Sequence, residues 1–269
     1  MGCLGWFFGL VALWIGVDLW ARHSRKKGAK QLTALVRHLY AGRHEYREAD
    51  PARFPHLDLQ FYDETARLLE HEGFVRLGDL EDVTSNETPG GVGYPLFIRG
   101  LAGDEGRILA GLYHFRTILW KSWQARLLGG AKSFKIVDLQ TELSDGAFLT
   151  TTNATSARAI DLPAQIFSDH LPSGCTPLEV LEIHRRRLAD YLAEHPGVEV
   201  RRITTTEQAL DMAHRMQDLK AEHRKSMGGI TTQEELVRAA DQMIAGTAEA
   251  RQLAQEIEKL RTPEGGKEQ

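Results

Sequence analysis

The sequence lacks the motifs that most often identify a catalytic or phosphate-binding site. It contains no G-x-x-x-x-G-K-[ST] loop, no G-x-S-x-G elbow and no H-E-x-x-H pair. The segment GGAKS at 129–133 has the wrong spacing for a phosphate loop, and Ser168-Asp169-His170 is too compact to favour a catalytic triad. We therefore predict no metal and no cofactor, and we favour a function other than catalysis.

Cysteines and long apolar segments are also scarce. The two cysteines, Cys3 and Cys175, make neither a disulfide framework nor a zinc site. Only the first segment of the chain is apolar enough to cross a bilayer, which excludes a multi-pass membrane protein. We therefore expect at most one membrane crossing, followed by a polar body.

Charge is distributed unevenly along the chain. Residues 21–50 contain eight Lys or Arg and three Asp or Glu, a net charge of +5, whereas the whole chain carries −4. Because Asp18 gives the leader −1, residues 51–269 carry −8. A nucleic-acid-binding surface needs clustered positive charge, so the acidic body argues against a nucleic-acid partner.

The first twenty residues are predicted to be a membrane anchor. Residues 2–17 carry no charge, and the apolar segment extends to Trp20, close to the length of about 20 residues that a transmembrane helix needs. Basic residues come only after it, at Arg22, Arg25, Lys26, Lys27 and Lys30. Since cytoplasmic flanks carry the excess of Lys and Arg, we predict a single-pass anchor at 1–21, with the N-terminus outside and the body in the cytoplasm.

Three alternatives remain open for this leader. A cleaved signal peptide is disfavoured because no basic residue precedes the apolar run and no A-x-A site follows it. Myristoylation is disfavoured by Trp6, which occupies the position that favours Ser or Thr. An uncleaved leader that packs on the body as a core helix is disfavoured by its length and its aromatic surface.

Residues 22–50 are predicted to form a basic amphipathic neck helix. Its apolar stripe consists of Leu32, Leu35, Val36, Leu39 and Tyr40. This stripe either packs on the body or lies along the membrane. In both cases the five basic residues after the leader are candidates for contact with anionic lipid headgroups.

The body, residues 51–230, is predicted to be an α+β domain with helices on one side of an antiparallel sheet of about five strands. Residues 49–57 are predicted to be a linker and 58–72 a helix that ends at Gly73. Capping boxes at 176–179, 204–207 and 231–234 predict three further helices. The last one, residues 231–261, is a candidate for binding a protein partner or for self-association, and residues 262–269 are predicted to be disordered.

The candidate site lies on a predicted hairpin at 135–153. Asp145-Gly146 predicts a two-residue turn that pairs Thr141 with Thr150. In this register the core-facing residues are Val137, Leu139, Thr141, Leu143, Phe148, Thr150 and Thr152. Four polar residues of the other face, which also carries Glu142 and Leu149, are combined with one histidine in a candidate cleft: Asp138, Gln140, Thr151, Asn153 and His114. A solvated sheet face is the alternative.

These expectations favour a membrane-tethered cytoplasmic binding or scaffold protein, anchored in the lipid bilayer through residues 2–20. The alternative is a membrane-proximal enzyme with a polar cleft on the hairpin at 135–153. An exported protein with an uncleaved leader is a third hypothesis.

The orientation of the anchor is testable with inside-out membrane vesicles that contain the full chain. We expect added protease to digest the body, because the basic flank places it on the side that these vesicles expose. Protection of the body in intact vesicles would contradict the orientation. Detection by mass spectrometry of a mature chain that begins after about residue 20 would instead favour export, with cleavage of a signal peptide.

Overall fold

The computed structural model describes residues 42–86, 95–116, 133–154 and 161–228, together with residues 232, 234, 235 and 238. The strands in these residues are β1 (Tyr46–Glu48), β2 (Val75–Asp82), β3 (Phe97–Gly103), β4 (Ile108–Arg116), β5 (Ser133–Glu142), β6 (Phe148–Thr152) and β7 (Ile166–His170). The α-helices are α1 (Leu59–His71), α2 (Val83–Asn86), α3 (Pro177–Glu194) and α4 (Thr206–Ser226). A short 3-10 helix at Pro51–Arg53 precedes α1.

The strands form one seven-stranded sheet in sequence order, β1 to β7. Neighbouring strands are antiparallel except β6 and β7, which are parallel. The predicted α+β class is confirmed, but the strand count of about five and the purely antiparallel pairing are wrong. The sequence does not reveal β1, because it has only three residues, or β7, because Ile166–His170 shows no alternation of apolar and polar side chains.

Helices cover both faces of the sheet, not one side as predicted. On the first face α1 and α3 pack over a core that includes Leu101, Leu112 and Leu139. On the second face Met212 and Met216 of α4 belong to a smaller apolar cluster that also contains Phe148. We call these surfaces the α1/α3 face and the α4 face.

The turn of the β5–β6 hairpin is one residue longer than predicted. Leu143 N donates to the Ala147 carbonyl oxygen at 2.9 Å, so three residues, 144–146, form the turn. Gly146 has φ +86°, the left-handed conformation that a three-residue hairpin needs at its last position. The longer turn shifts the pairing, and Thr141 lies opposite Leu149 instead of Thr150.

This one-residue shift exchanges the two faces of β6 but leaves β5 as predicted. Leu139 pairs with Thr151, so Thr151 lies on the α1/α3 face with it. The residues predicted to face the core from β6, Phe148, Thr150 and Thr152, lie instead on the α4 face, because they pair with Glu142, Gln140 and Asp138.

The ends of α1 confirm the prediction made from its flanking residues. Asp58 Oδ1 accepts a hydrogen bond from the Phe61 N–H at 3.2 Å and caps the helix. Gly73 follows the last turn with φ +86°. Phe74 then folds back, because its N–H donates to the Leu69 carbonyl oxygen at 3.0 Å and its ring is buried.

The starts of the two long helices after β7 are also capped. The predicted box at α3 is confirmed, since Thr176 N donates to Glu179 Oε2 at 2.7 Å and Glu179 N donates to Thr176 Oγ1 at 3.3 Å. The cap of α4 lies one residue later than predicted, at Thr205, whose hydroxyl accepts from the Gln208 N–H at 3.2 Å. An α-helix therefore begins near each of these two predicted positions.

The chain before α1 is part of the fold. Residues 46–48, placed in the predicted neck helix, form β1 and pair with β2. Ala49 and Phe54, placed in the predicted linker, are buried in the core of the α1/α3 face. Outside the described residues lie the leader, the basic residues at 22–30, the segment 118–130, most of 231–261 and the tail.

Among the described residues, no helix is both long enough and apolar enough to cross a bilayer. The predicted anchor at residues 1–21 lies outside them.

A buried tyrosine joins α1 to two neighbouring strands. Tyr62 OH donates to the Phe97 carbonyl oxygen at 3.2 Å and accepts from the His114 N–H at 2.7 Å. Its ring packs edge-on against that of Phe97, with centroids 5.1 Å apart. One hydroxyl therefore links the backbones of β3 and β4 to the helix above them.

We expect Tyr62→Phe to lower the free energy of unfolding by about 1–3 kcal/mol, because two buried backbone groups lose this hydrogen-bond partner. Denaturant unfolding of the full chain measures the change. Tyr191→Phe is the matched control, since Tyr191 donates to Asp145 at the surface and its loss should change stability by only about 0.5 kcal/mol. Equal effects of the two substitutions would contradict this role of Tyr62.

Candidate functional site

Three glycines lie side by side on neighbouring strands of the α4 face. Gly78 of β2 pairs with Gly100 of β3, and Gly100 pairs with Gly111 of β4. Gly111 in turn pairs with Asp138 of β5. Because directly paired residues project from the same face, this glycine row removes side chains from three adjacent strands. At Gly100 and Gly111 it leaves space between the sheet and the helix that covers it, whereas Thr206 of α4 lies over Gly78.

A cavity of about 240 Å³ occupies this space. Strands β2 to β5 form its floor, Tyr46 of β1 lies at its side, and one stripe of α4 forms its roof. The roof residues are Ala209, Leu210, Ala213, Met216, Gln217 and Lys220. Small residues on both the sheet and the helix therefore leave a cavity where larger side chains would pack.

Asp138 lines the cavity at the end of the glycine row. Gln140 Nε2 donates a hydrogen bond to Asp138 Oδ2 at 2.5 Å. Burial raises the pKa of Asp138 to about 6, although the Gln140 hydrogen bond and the charge of Lys220 act in the opposite direction. A carboxyl group with this pKa gains and loses a proton close to neutral pH.

Lys220 of α4 lines the same cavity. Burial lowers the pKa of its ammonium group, and the charge of Asp138 partly opposes that effect. Within the part of the chain that the structure describes, Lys220 forms no hydrogen bond and no ion pair. Its donors are therefore available to a molecule in the cavity.

The Tyr113 side chain lies over Gly111, at one end of the glycine row. A Cβ atom at Gly111 would be only 2.7 Å from the Tyr113 hydroxyl oxygen, so this position of the phenol depends on glycine. Burial raises the pKa of Tyr113 well above its ordinary value, and the charge of Asp138 adds to the effect. The hydroxyl group has no hydrogen-bond partner among the described residues.

The side of the cavity is built by the last residues of the predicted neck at 22–50. Gln217 Nε2 donates to the Tyr46 hydroxyl at 2.7 Å, and Gln217 Oε1 accepts from the His44 N–H at 2.9 Å. Arg43 forms an ion pair with Asp218 at 2.7 Å. The start of the described chain is therefore attached to the helix that roofs the cavity.

The structure brings together two of the five residues predicted to form a polar cleft. Asp138 and Gln140 share the cavity on the α4 face. Thr151 lies on the α1/α3 face, where its hydroxyl is 2.9 Å from His184 Nδ1. Asn153 binds the backbone of β5, with its Oδ1 accepting from the Val137 N–H at 2.9 Å. The register shift in the hairpin explains this separation.

The fifth residue of that cleft, His114, also lies away from the cavity. It is buried on the α1/α3 face, and its Nδ1 accepts a hydrogen bond from the Asp58 N–H at 2.9 Å. Its Nε2 lies 2.6 Å from the Ser133 hydroxyl. His114 therefore fixes the start of α1 against β5.

The other chemistry considered from the sequence does not converge on a site. Ser168 and His170 share one face of β7 and lie 3.0 Å apart, but Asp169 projects from the opposite face beside Arg187. No group of three or more potential metal ligands occurs among the described residues.

The raised pKa of Asp138 makes stability depend on pH. Because the folded pKa of about 6 exceeds the unfolded value of about 3.9, its contribution to stability is complete below pH 4 and is lost as the pH rises through 6. We expect Asp138→Asn to match the wild type near pH 4 and to be about 1–3 kcal/mol more stable near pH 8. Denaturant unfolding at both pH values measures the difference.

Glu179→Gln is the control for this experiment. Hydrogen bonds from Thr176 lower the pKa of Glu179, so its contribution to stability is present at high pH and is lost as the pH falls. The variant should therefore lose stability relative to the wild type as the pH rises. A difference between Asp138→Asn and the wild type that stays constant with pH would contradict the raised pKa.

Comparison with known proteins adds no assignment to the cavity. No protein-family model matches the chain, and neither a curated protein nor a solved structure matches it.

Proposed function

We propose that the protein is a membrane-tethered binding module that holds a small ligand between its sheet and α4. One observation carries the binding part of the proposal. Asp138, Lys220 and Tyr113 line the same cavity, and the described residues leave Lys220 and the Tyr113 hydroxyl without hydrogen bonds. A concave, largely apolar pocket with a few converging polar groups is the usual form of a ligand site.

The polar lining distinguishes this cavity from a packing defect. Stable empty cavities in proteins are apolar, because a buried charged group without a partner costs several kcal/mol. Here two charged side chains and a phenol line the space. A volume of about 240 Å³ corresponds to about eight waters, or to a ligand of about eight to twelve non-hydrogen atoms.

Ion pairs outside the cavity hold α4 in place. Arg215 binds the buried Glu142 of β5 through two hydrogen bonds of 2.7 and 2.6 Å. Near the end of the helix, the buried Arg224 binds Glu235 at 2.6 Å. The roof is therefore positioned without filling the cavity, and little ordering is needed when a ligand binds.

The membrane part of the proposal is supported by the sequence. The apolar run at 2–20 is the proposed anchor, and the basic residues at 22–30 are proposed to contact anionic headgroups, with the body in the cytoplasm. The helix predicted at 231–261 is the proposed contact with a protein partner or with a second copy of the chain. In this arrangement the cavity lies close to the membrane, because Tyr46, at its side, belongs to the predicted neck at 22–50.

A membrane-proximal enzyme is the second candidate. The pKa of about 6 for Asp138, beside a lysine whose pKa is lowered, favours it, because general acid–base catalysis works best when the pKa is near the operating pH. In this case the bound molecule is converted, whereas a binding module releases it unchanged.

Filling the cavity tests the proposal. In Ala213→Trp the indole occupies the space above the glycine row, and in Glu222→Trp it lies on the exposed side of the same helix. The full chain in detergent is screened by thermal shift against neutral, anionic, cationic and zwitterionic molecules of about eight to twelve non-hydrogen atoms. A ligand at a hundred times its Kd should stabilise the wild type and Glu222→Trp by about 2.7 kcal/mol, but not Ala213→Trp.

Gly100→Ala keeps the test valid if Ala213→Trp does not fold. Its added methyl group would meet nothing closer than 3.7 Å, so it narrows the floor of the cavity without a clash. We expect weaker binding in this variant. Ligands that stabilise both tryptophan variants equally, or a complete absence of stabilising molecules, would contradict the proposal.

A further inference from the structure

We infer that the cavity selects a zwitterion of the free aliphatic α-amino acid class, with Lys220 binding the carboxylate and Asp138 binding the ammonium group. The inference rests on the proposed function, because it names the ligand class of the same cavity. It is carried by the charges, the hydrogen-bonding groups and the shape of the lining.

The lining of the cavity carries one charge of each sign, and the two charged groups are not paired with each other. Among the described residues that line the cavity, one is acidic, Asp138, and one is basic, Lys220. Each affects the other electrostatically, yet they form no direct ion pair within the described structure. A ligand that carries both signs satisfies both groups, whereas a simple anion faces the repulsion of Asp138 and a simple cation that of Lys220.

The hydrogen-bonding groups match the two ends of such a ligand. Asp138 uses one carboxylate oxygen to accept from Gln140 and keeps the other for an ammonium donor. Tyr113 lines the same cavity as Asp138, and its hydroxyl has an unused oxygen that can accept from the ammonium group. Lys220 supplies up to three donors to the carboxylate.

The remaining lining favours an aliphatic side chain. Leu80, Ile98, Leu109 and Met216 provide apolar walls, and Gly100 provides an open floor. A ligand side chain with a further charge has no partner here, because the two charged residues are already used. The volume of about 240 Å³ admits a branched side chain such as that of leucine, which has nine non-hydrogen atoms in all.

Isothermal titration calorimetry of the full chain in detergent, at pH 7.5, tests the inference with three probes. Leucine carries both charges, isocaproate lacks the ammonium group, and isoamylamine lacks the carboxylate. We expect leucine to bind at least about tenfold more tightly than either analogue, since each analogue leaves one charged group of the cavity unpaired.

Two substitutions give the sharper result, because each should improve the binding of one probe. Asp138→Asn should weaken leucine and isoamylamine but strengthen isocaproate, since the repulsive carboxylate is removed. Lys220→Met should weaken leucine and isocaproate but strengthen isoamylamine. A loss of folding cannot produce these gains. Glu222→Gln removes an exposed charge from the same helix and should leave all three affinities unchanged.

Tighter binding of isocaproate or isoamylamine than of leucine to the wild type would overturn the zwitterion inference. The ligand site of the proposed function would remain, provided that Ala213→Trp still abolishes that binding. Absence of binding by all three probes would also overturn the inference. The broader screen of small molecules against the tryptophan variants then decides separately whether the cavity binds any ligand.

Discussion

The glycine row Gly78–Gly100–Gly111 is the constraint on which the α4 face depends. A sheet face packs against a helix through side chains, and three adjacent strands supply none at this level. Met212 and Met216 pack with Phe148 beside the row and keep α4 above it. A face that would otherwise be a second hydrophobic core therefore contains a cavity, and Tyr113 has room to lie across Gly111.

The two faces of the sheet differ in how their charged side chains are paired. On the α1/α3 face the buried Arg99 is bonded to Asp79 at 3.0 Å and to Asp63 at 2.6 Å, so its charge is fully matched. On the α4 face Asp138 and Lys220 are close enough to influence each other but form no pair. A matched pair stabilises local geometry, whereas two charged groups that line a cavity without pairing are available to a third molecule.

Signals that act between neighbouring residues, such as helix caps, predicted much of this fold from the sequence. The pairing of strands was predicted less well. The start and end of α1 follow from Asp58 and Gly73, which act through neighbours within a few residues. The β5–β6 register depends on whether Asp145-Gly146 closes a two-residue or a three-residue turn, and Gly146 fits both. Asp138 and Gln140 share a face because they lie two residues apart in β5, so their prediction did not depend on the turn. The extra turn residue placed Thr151 and Asn153 on the face opposite to the predicted one.

Sequence patterns could not predict the cavity. Each glycine of the row looks unremarkable in its own strand, and only the pairing of β2, β3 and β4 aligns them. Lys220 lies three helical turns after Ala209 and thus on the same stripe of α4, but a lone lysine in such a stripe is usually a solvated residue. The role of Lys220 becomes evident only from the fold, which places Asp138 in the floor of the cavity that Lys220 roofs.

The position of Tyr46 links the cavity to the part of the chain that precedes the sheet. β1 has only three residues and lies at the sheet edge, so its pairing with β2 alone holds it weakly. Gln217 adds contacts to Tyr46 and His44, and the same α4 stripe carries Lys220. If a ligand binds only when β1 is docked at this side of the cavity, the free energy of ligand binding also stabilises the docked position of β1. By this linkage, occupancy of the cavity and the attachment of the neck to the body depend on each other.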